Sequence, residues 1–377
     1  MIKTSLWMGI ALLSLASPLC RVMAQKETEK QNVLLHPDRF YRKFLPHLKI
    51  KRNPPDSLFI KSYPYYLSTG IHILSPEVKM DIASNGAKPD NFDPASKFRS
   101  NISDVIGFSG TYRFVSVGFS FLSKSGLNTH GDYSPSRYRT ATVKYNGAAD
   151  AFQFKYIRIQ GFTDINQPSR LGPNPMYTQR PDVISKEFQF EITHNFSWKR
   201  YSYAAPITFL QRQIKSHGGF LLKAGAYYSQ LSSDSTLLGK RQNQYYDDFN
   251  DIRAIRSVSL RIAPGLGGNL VFWRKVYFSA SAFTSFDFCF YKYLKLLDEK
   301  VQGRQALVFV LEGKVSLGYQ SRRFYAGLRY EPERRVGVLH GLEMKTTYSY
   351  TGIELGYRFV APGFVKKVYK KTMPPGM

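Results

Sequence analysis

The chain has 377 residues, 53 Lys and Arg against 27 Asp and Glu, a formal net charge of +26, 15% aromatic residues and a mean hydropathy of −0.31. Beyond the N-terminal leader no stretch approaches the roughly 18 consecutive apolar residues of a membrane helix, which excludes a helical bundle in a membrane. The basic balance raises nucleic acid as a partner, but the charges are spread along the chain without a recognition helix or ribonucleoprotein motif, so anionic lipid and lipopolysaccharide are the expected partners and nucleic acid is not.

Lys3, the apolar run Leu6 to Leu19 and the small-residue end Val22-Met23-Ala24 read as a secretory signal, with cleavage expected after Ala24. Leu19 is bulky where a lipoprotein signal has a small residue, so Cys20 is expected to leave with the leader. Cys289 is then the single cysteine, and no intramolecular disulfide forms. Residues 25–60 are polar, basic and carry Pro37, Pro46, Pro54 and Pro55; they are expected in the periplasm, with a short helix near Asp38 to Leu48.

Residues 61–361 then alternate with a period of two. Tyr65 to Ala83 predicts a long strand, bent at Ser75-Pro76 because proline cannot donate to a ladder. Asp104 to Gly110 and Val115 to Leu122 form a hairpin, as do Tyr138 to Tyr145 and Ala151 to Phe162 across Asn146-Gly147-Ala148-Ala149. Ile184 to Phe196 places Phe188, Phe190 and Ile192 on one face and Gln189, Glu191 and Thr193 on the other. Gly219 to Gln230 follows, then Ile255 to Gly265 and Val276 to Ser285 across Trp273-Arg274-Lys275.

The clearest alternation comes last: Leu307, Phe309, Leu311, Val315, Leu317 and Tyr319 against Glu312, Lys314 and Ser316, and later Ile353, Leu355, Tyr357 and Phe359 against Glu354 and Arg358. Long loops are expected at 85–96, 123–136, 163–183, 231–251, 287–305 and 331–345. Residues 362–377 are a basic tail assigned to the periplasm.

Long alternating strands with aromatic ends, short turns and long loops in rotation, and an export signal together give an all-β fold. It is a single antiparallel transmembrane β-barrel of about 12 strands (10 to 14), with its apolar face on lipid and its polar face on the lumen. Ser197 to Gly218 breaks the rhythm; it is either a plug or a hidden strand pair.

That irregular segment carries a resemblance. Tyr201-Ser202-Tyr203-Ala204-Ala205, followed by Gln211-Arg212-Gln213-Ile214-Lys215-Ser216-His217-Gly218-Gly219-Phe220, resembles the central signature of a Bacteroidetes outer-membrane family catalogued as domain of unknown function 4421. The family pattern is a Phe-Ser-Tyr-Arg-Ala run before Arg-Gln-x-Lys-Ser-x-Gly-Ser. Here Ala205-Pro206 follows the aromatic run, and Gly219 stands where serine is usual. The run at 107–112 and Gln160-Gly161-Phe162 are similar to other landmarks of the family. By order of elements the resemblance spans about Tyr65 to Phe359. It implies an exported barrel and no particular activity.

Three groups of residues are candidates for function. Glu191, Lys223, Arg261, Glu312, Lys314, Arg329, Glu354 and Arg358 all fall on the polar phase of their strands. They either line an ion-selective constriction or fill the lumen with ion pairs, and the filled lumen is favoured. Arg212, Gln213, Lys215 and Ser216 form a candidate plug or anion site, expected to reach inward acids such as Glu312 or Glu354.

His194 and Ser197 evoke a lipid hydrolase, but no orienting acid is placed by sequence and no catalytic residue is assigned. Asp247, Asp248, Asn250 and Asp251 lack the glycine and closing glutamate of a calcium loop, and no metal or cofactor is expected. The functional reading is an integral outer-membrane protein, a small pore or solute channel. The alternatives are a structural or assembly component of an envelope complex, with envelope proteins as partners, and third a lipid hydrolase.

Overall fold

The computed structural model describes residues 54–84, 93–122, 132–170, 176–239, 245–246, 249–296, 302–339 and 342–372. The leader and the helix expected near 38–48 lie outside them. Two compact units are present. One spans 53–361 and holds every strand. Of the other, the described part is a basic helix after the last strand.

In chain order the strands are β1 (Ile60–Ser62), β2 (Tyr66–Ser84), β3 (Ser96–Arg99), β4 (Val105–Tyr112), β5 (Val115–Leu122), β6 (Arg137–Asn146), β7 (Asp150–Arg170) and β8 (Met176–Asn195). A short helix α1 (Ala205–Thr208) follows, then β9 (Gln211–Gln213), β10 (His217–Ser232), β11 (Ile252–Phe272), β12 (Val276–Lys295), β13 (Gln302–Gln320), β14 (Phe324–Leu339), β15 (Leu342–Val360) and helix α2 (Gly363–Thr372).

Twelve of these strands make one antiparallel ring. Neighbours in sequence pair, with β8 beside β10, and β2 pairs with β15 from Tyr66↔Val360 to Ser84↔Leu342 to close it. Closure leaves no edge strand, which is what a sheet needs to cross hydrocarbon. β4, β5 and β6 are short, and β3 completes the wall above them by pairing with residues 79–82 of β2 and 163–164 of β7.

At Ser75-Pro76 β2 runs on without a break, paired with β15. Its ladder with β4 ends at Leu74 and its ladder with β3 begins at Lys79, so Pro76 sits where no N–H is required on that side.

The outward phase carries an apolar belt. Phe119 is 57% exposed, Leu317 47% and Leu355 51%, values that water would penalise and lipid would not. Trp273, Phe220 and Phe196, all exposed, ring the end where the tight turns lie. There Trp273 and Arg274 both take positive φ, the turn conformation that matches strand twist, and Lys275 N–H donates to the Phe272 carbonyl.

Within β2 the chemistry of the two faces exchanges. Ile71 and Ile73 point outward and His72 inward, but six residues on Glu77 and Lys79 point outward while Val78, Met80 and Ile82 are buried inside. The phase is unbroken; only the surroundings change, from lipid outside to water outside.

This exchange corrects three expected loops. Residues 163–183, 287–305 and 331–345 are largely strand, since β7 and β8, β12 and β13, and β14 and β15 extend past the belt as paired ribbons. Their prolines and outward charges read as loop, but antiparallel pairing still satisfies the backbone. Gly161, at φ 89°, marks a bulge in β7, where a Cβ would stand 2.3 Å from the Pro135 carbonyl.

Candidate functional site: a lumen closed in three tiers

The first tier is the irregular segment between β8 and β10. The Ser197 carbonyl accepts from the N–H groups of Arg200 and Tyr201, α1 turns once, and Phe209 ends it in the left-handed region. β9 then pairs with β1, and Asp56, Tyr63 and Ile214 donate N–H bonds between the two strips of chain. Residues 54–65 and 196–216 are thus one hydrogen-bonded layer.

Barrel side chains meet the carbonyls this layer leaves open. Asn269 donates to the Ser202 carbonyl (2.9 Å), Gln320 to Ala205 (2.9 Å), Arg329 to Pro206 (3.2 Å) and Arg358 to Phe209 (2.5 Å). Buried irregular backbone needs partners of this kind, because water is not there to supply them. Phe209 also stacks on Tyr325 at 4.1 Å, and Tyr201 packs with Leu221, Ala263 and Phe283.

Gln213 is the hub of the four residues singled out in this segment. It is 3% exposed; its amide nitrogen donates to the carbonyls of Arg200 and Lys215, and its oxygen accepts from Ser202 N–H and Asn269. Arg212 donates to the Gln320 carbonyl (3.3 Å), Ser216 accepts from Val271 N–H (2.9 Å), and the Lys215 ammonium lies over the Phe59 ring. Among the described residues none of the four reaches Glu312 or Glu354, so that expectation is corrected. Those acids are already engaged by cations of the wall, above the layer.

The second tier is a charge network across the lumen. Lys223, fully buried, lies 2.5 Å from Glu312 and 3.9 Å from Glu191. Arg261 grips Asp287 through two nitrogens and lies 3.4 Å from Glu333. Arg335 bonds Glu333 (2.8 Å) and Glu187 (3.1 Å), and Tyr348 donates to Glu187. Lys314 approaches Glu312 at 3.8 Å, and Arg329 holds Glu354 at 3.2 Å. Arg335 is on β14 and Glu187 on β8, five strands apart in a ring of twelve, so this pair spans nearly the full width.

Seven of the eight inward charges named from sequence belong to this network, and Arg358 belongs to the first tier. Glu187, Asp287, Glu333 and Arg335 were missed. All share the inward phase of their strands, but three of them lie in stretches read as loop.

The third tier is apolar. Val78, Met80, Ile82, Phe98, Ile159, Phe162, Tyr291 and Tyr293 line the far end, and Leu237, Leu238, Tyr246 and Phe249 of the 233–251 connection fold in among them. Tyr246 Oη lies 2.9 and 2.8 Å from the carbonyl oxygens of Ile82 and Pro94. Arg180 holds the connection by donating to the carbonyls of Thr236 and Leu237 while paired with Asp182. Between the tiers lie two cavities of about 160 and 110 Å³, lined by charged and apolar side chains together.

The residues that evoke a hydrolase do not assemble. His194 Nδ1 lies 2.7 Å from Asp150 on the outward phase, whereas Ser197 lies against Gly219, where a Cβ would stand 2.1 Å from its hydroxyl. Among the described residues no hydrogen bond joins Ser197 to His194, and no cluster of His, Cys, Asp or Glu is fit to hold a metal. Asp247 and Asp248 lie outside the described residues.

Among the described residues, fold and lumen together define a transmembrane β-barrel whose bore is filled from within by a chain segment and side chains. The chain belongs to the family described as Domain of unknown function (DUF4421), which it matches over residues 54–359. No curated protein matches it. Among solved structures it is similar to the outer membrane protease OmpT from Escherichia coli, at 10% identity over 79% of this chain and 98% of that one (TM-score 0.39). It is also similar to the translocator domain of the autotransporter NalP from Neisseria meningitidis, at 13% identity over 77% and 88% (TM-score 0.36). The outer membrane protein OprG from Pseudomonas aeruginosa is matched at 10% identity over 81% and 99% (TM-score 0.19).

Proposed function

We propose that the protein is an outer-membrane barrel, exported behind a leader cleaved after Ala24, that works as a small solute channel held shut at rest by residues 196–216. One observation carries this reading: between the plug and the apolar tier at the far end, the lumen is crossed by charged side chains around two cavities rather than packed solid. The plug is fastened by side-chain bonds to its carbonyls, which can be exchanged for water when it moves. The reading is non-catalytic and calls for no cofactor. Its belt meets outer-membrane lipid and lipopolysaccharide.

Planar-bilayer recording tests it. The native barrel is expected to be silent, and Gln320→Ala with Arg329→Ala, which frees the carbonyls of Ala205 and Pro206, is expected to give discrete openings. Steady conductance from the native barrel would count against a plug. A loosened variant that shifts normally on a gel between unheated and boiled samples, yet never conducts, supports the second reading, a structural or assembly component of an envelope complex. The number of strands gripping the plug favours that second reading.

A further inference from the structure

The 160 Å³ cavity has two unlike walls. On one, every carboxylate is engaged: Glu354 by Arg329 and Ser109, Glu331 by Arg329, Glu312 by Lys223 and Lys314, Glu191 by Tyr227 and Lys223, Glu333 by Arg335 and Arg261. On the other, built from β5, β6 and β7, Ser120 is bonded to His72 and Gln153 to Glu191, but further donors have no acceptor. Lys144 faces the cavity and makes no hydrogen bond or ion pair among the described residues. Lys155, one strand over, has its ammonium over the Tyr350 ring at 4.5 Å and no carboxylate. On the same wall the buried hydroxyls of Ser116 and Thr140 have no hydrogen-bond partner.

We infer that this cavity binds a small oxyanion, a phosphate or a short carboxylate, held against the β5–β7 wall by Lys144 and Lys155, with Ser116 on the rung beside Lys144. The volume exceeds that of several waters and suits an ion of this size. Two ammonium groups and the Ser116 hydroxyl are all donors toward an acceptor-only ligand, and charge-assisted bonds are the strong ones. A neutral polyol would bring no charge to the two lysines in a site of low effective dielectric. The acids opposite do not repel the ion strongly, because each already shares a cation. The site does not depend on gating, since a permanently shut barrel would hold the ion as a structural counter-charge.

The test is equilibrium dialysis with labelled inorganic phosphate, present while the mature chain refolds in detergent so that the lumen closes around it. Ionic strength is fixed with sodium chloride. One saturable equivalent per barrel is expected, with succinate competing if a carboxylate serves and failing to compete if the site is phosphate-selective. Lys144→Gln with Lys155→Gln should weaken binding about tenfold or more, while Lys275→Gln, on an exposed turn, should not.

Without phosphate the double variant should be at least as stable as the native barrel, because it loses two buried amines that no carboxylate hydrogen-bonds. With phosphate the order should reverse. Lys144→Gln alone is judged by the same criteria where the double variant does not refold. Absence of saturable binding of either anion to a normally folded barrel, or equal affinity in native and variant barrels, would overturn the proposal.

Discussion

The two ends of the lumen are stopped by opposite means. At the tight-turn end an irregular strip of chain is held by polar side chains aimed at its carbonyls. At the far end apolar side chains from the walls and one connection close over each other. The inward phase of a strand such as β2 supplies both, His72 at one level and Met80 at another. The difference teaches that a barrel residue is chosen against what lies across the wall. Where lipid is outside, apolar atoms go out and the lumen takes the polar set. Where water is outside, the ordinary rule of a soluble core returns.

Substitutions at matched positions test that contrast. Phe98→Ala, in the apolar tier at 0% exposure, is expected to cost about 3–5 kcal/mol in a denaturant titration, the cavity cost of a buried aromatic. A cost below about 1 kcal/mol would mean the far end is not packed as a core. Asp287→Ala in the charge tier removes the two-nitrogen partner of Arg261 and is expected to cost about 3 kcal/mol. Asp287→Asn, which keeps two of the bonds, should recover part of it.

On the outer face, Leu317→Arg is expected to cost about 2–4 kcal/mol in lipid. Ser75→Arg, also outward but at the level where β2 changes company, should stay within about 0.5 kcal/mol. Equal penalties for these two would place the belt boundary elsewhere.

Much of this was readable from spacing alone. Leu307 through Tyr319 announced both faces of β13, and the break at 197–218 announced a segment unlike its neighbours. What pairs with what was not readable. Glu187 and Arg335 are 148 positions apart and meet only because the ring closes. The ribbons were lost for another reason. From Phe286 to Tyr293 aromatic residues stand on both faces of β12, so the polar–apolar contrast that marks phase fades where lipid gives way to water. The plug's fastening was hidden too, because its acceptors are backbone carbonyls, which every residue has.

The seam between β2 and β15 sets a timetable. The first barrel strand waits for the last, and until β15 arrives the growing sheet shows two bare edges, each a template for a stranger's strand. Pairing across so long a separation is slow, and the wait is the hazardous part of the molecule's life. β15 also carries Arg358, whose guanidinium holds the Phe209 carbonyl and the Gln320 side chain. The strand that completes the wall therefore also latches the stopper, and a chain halted short of it has neither.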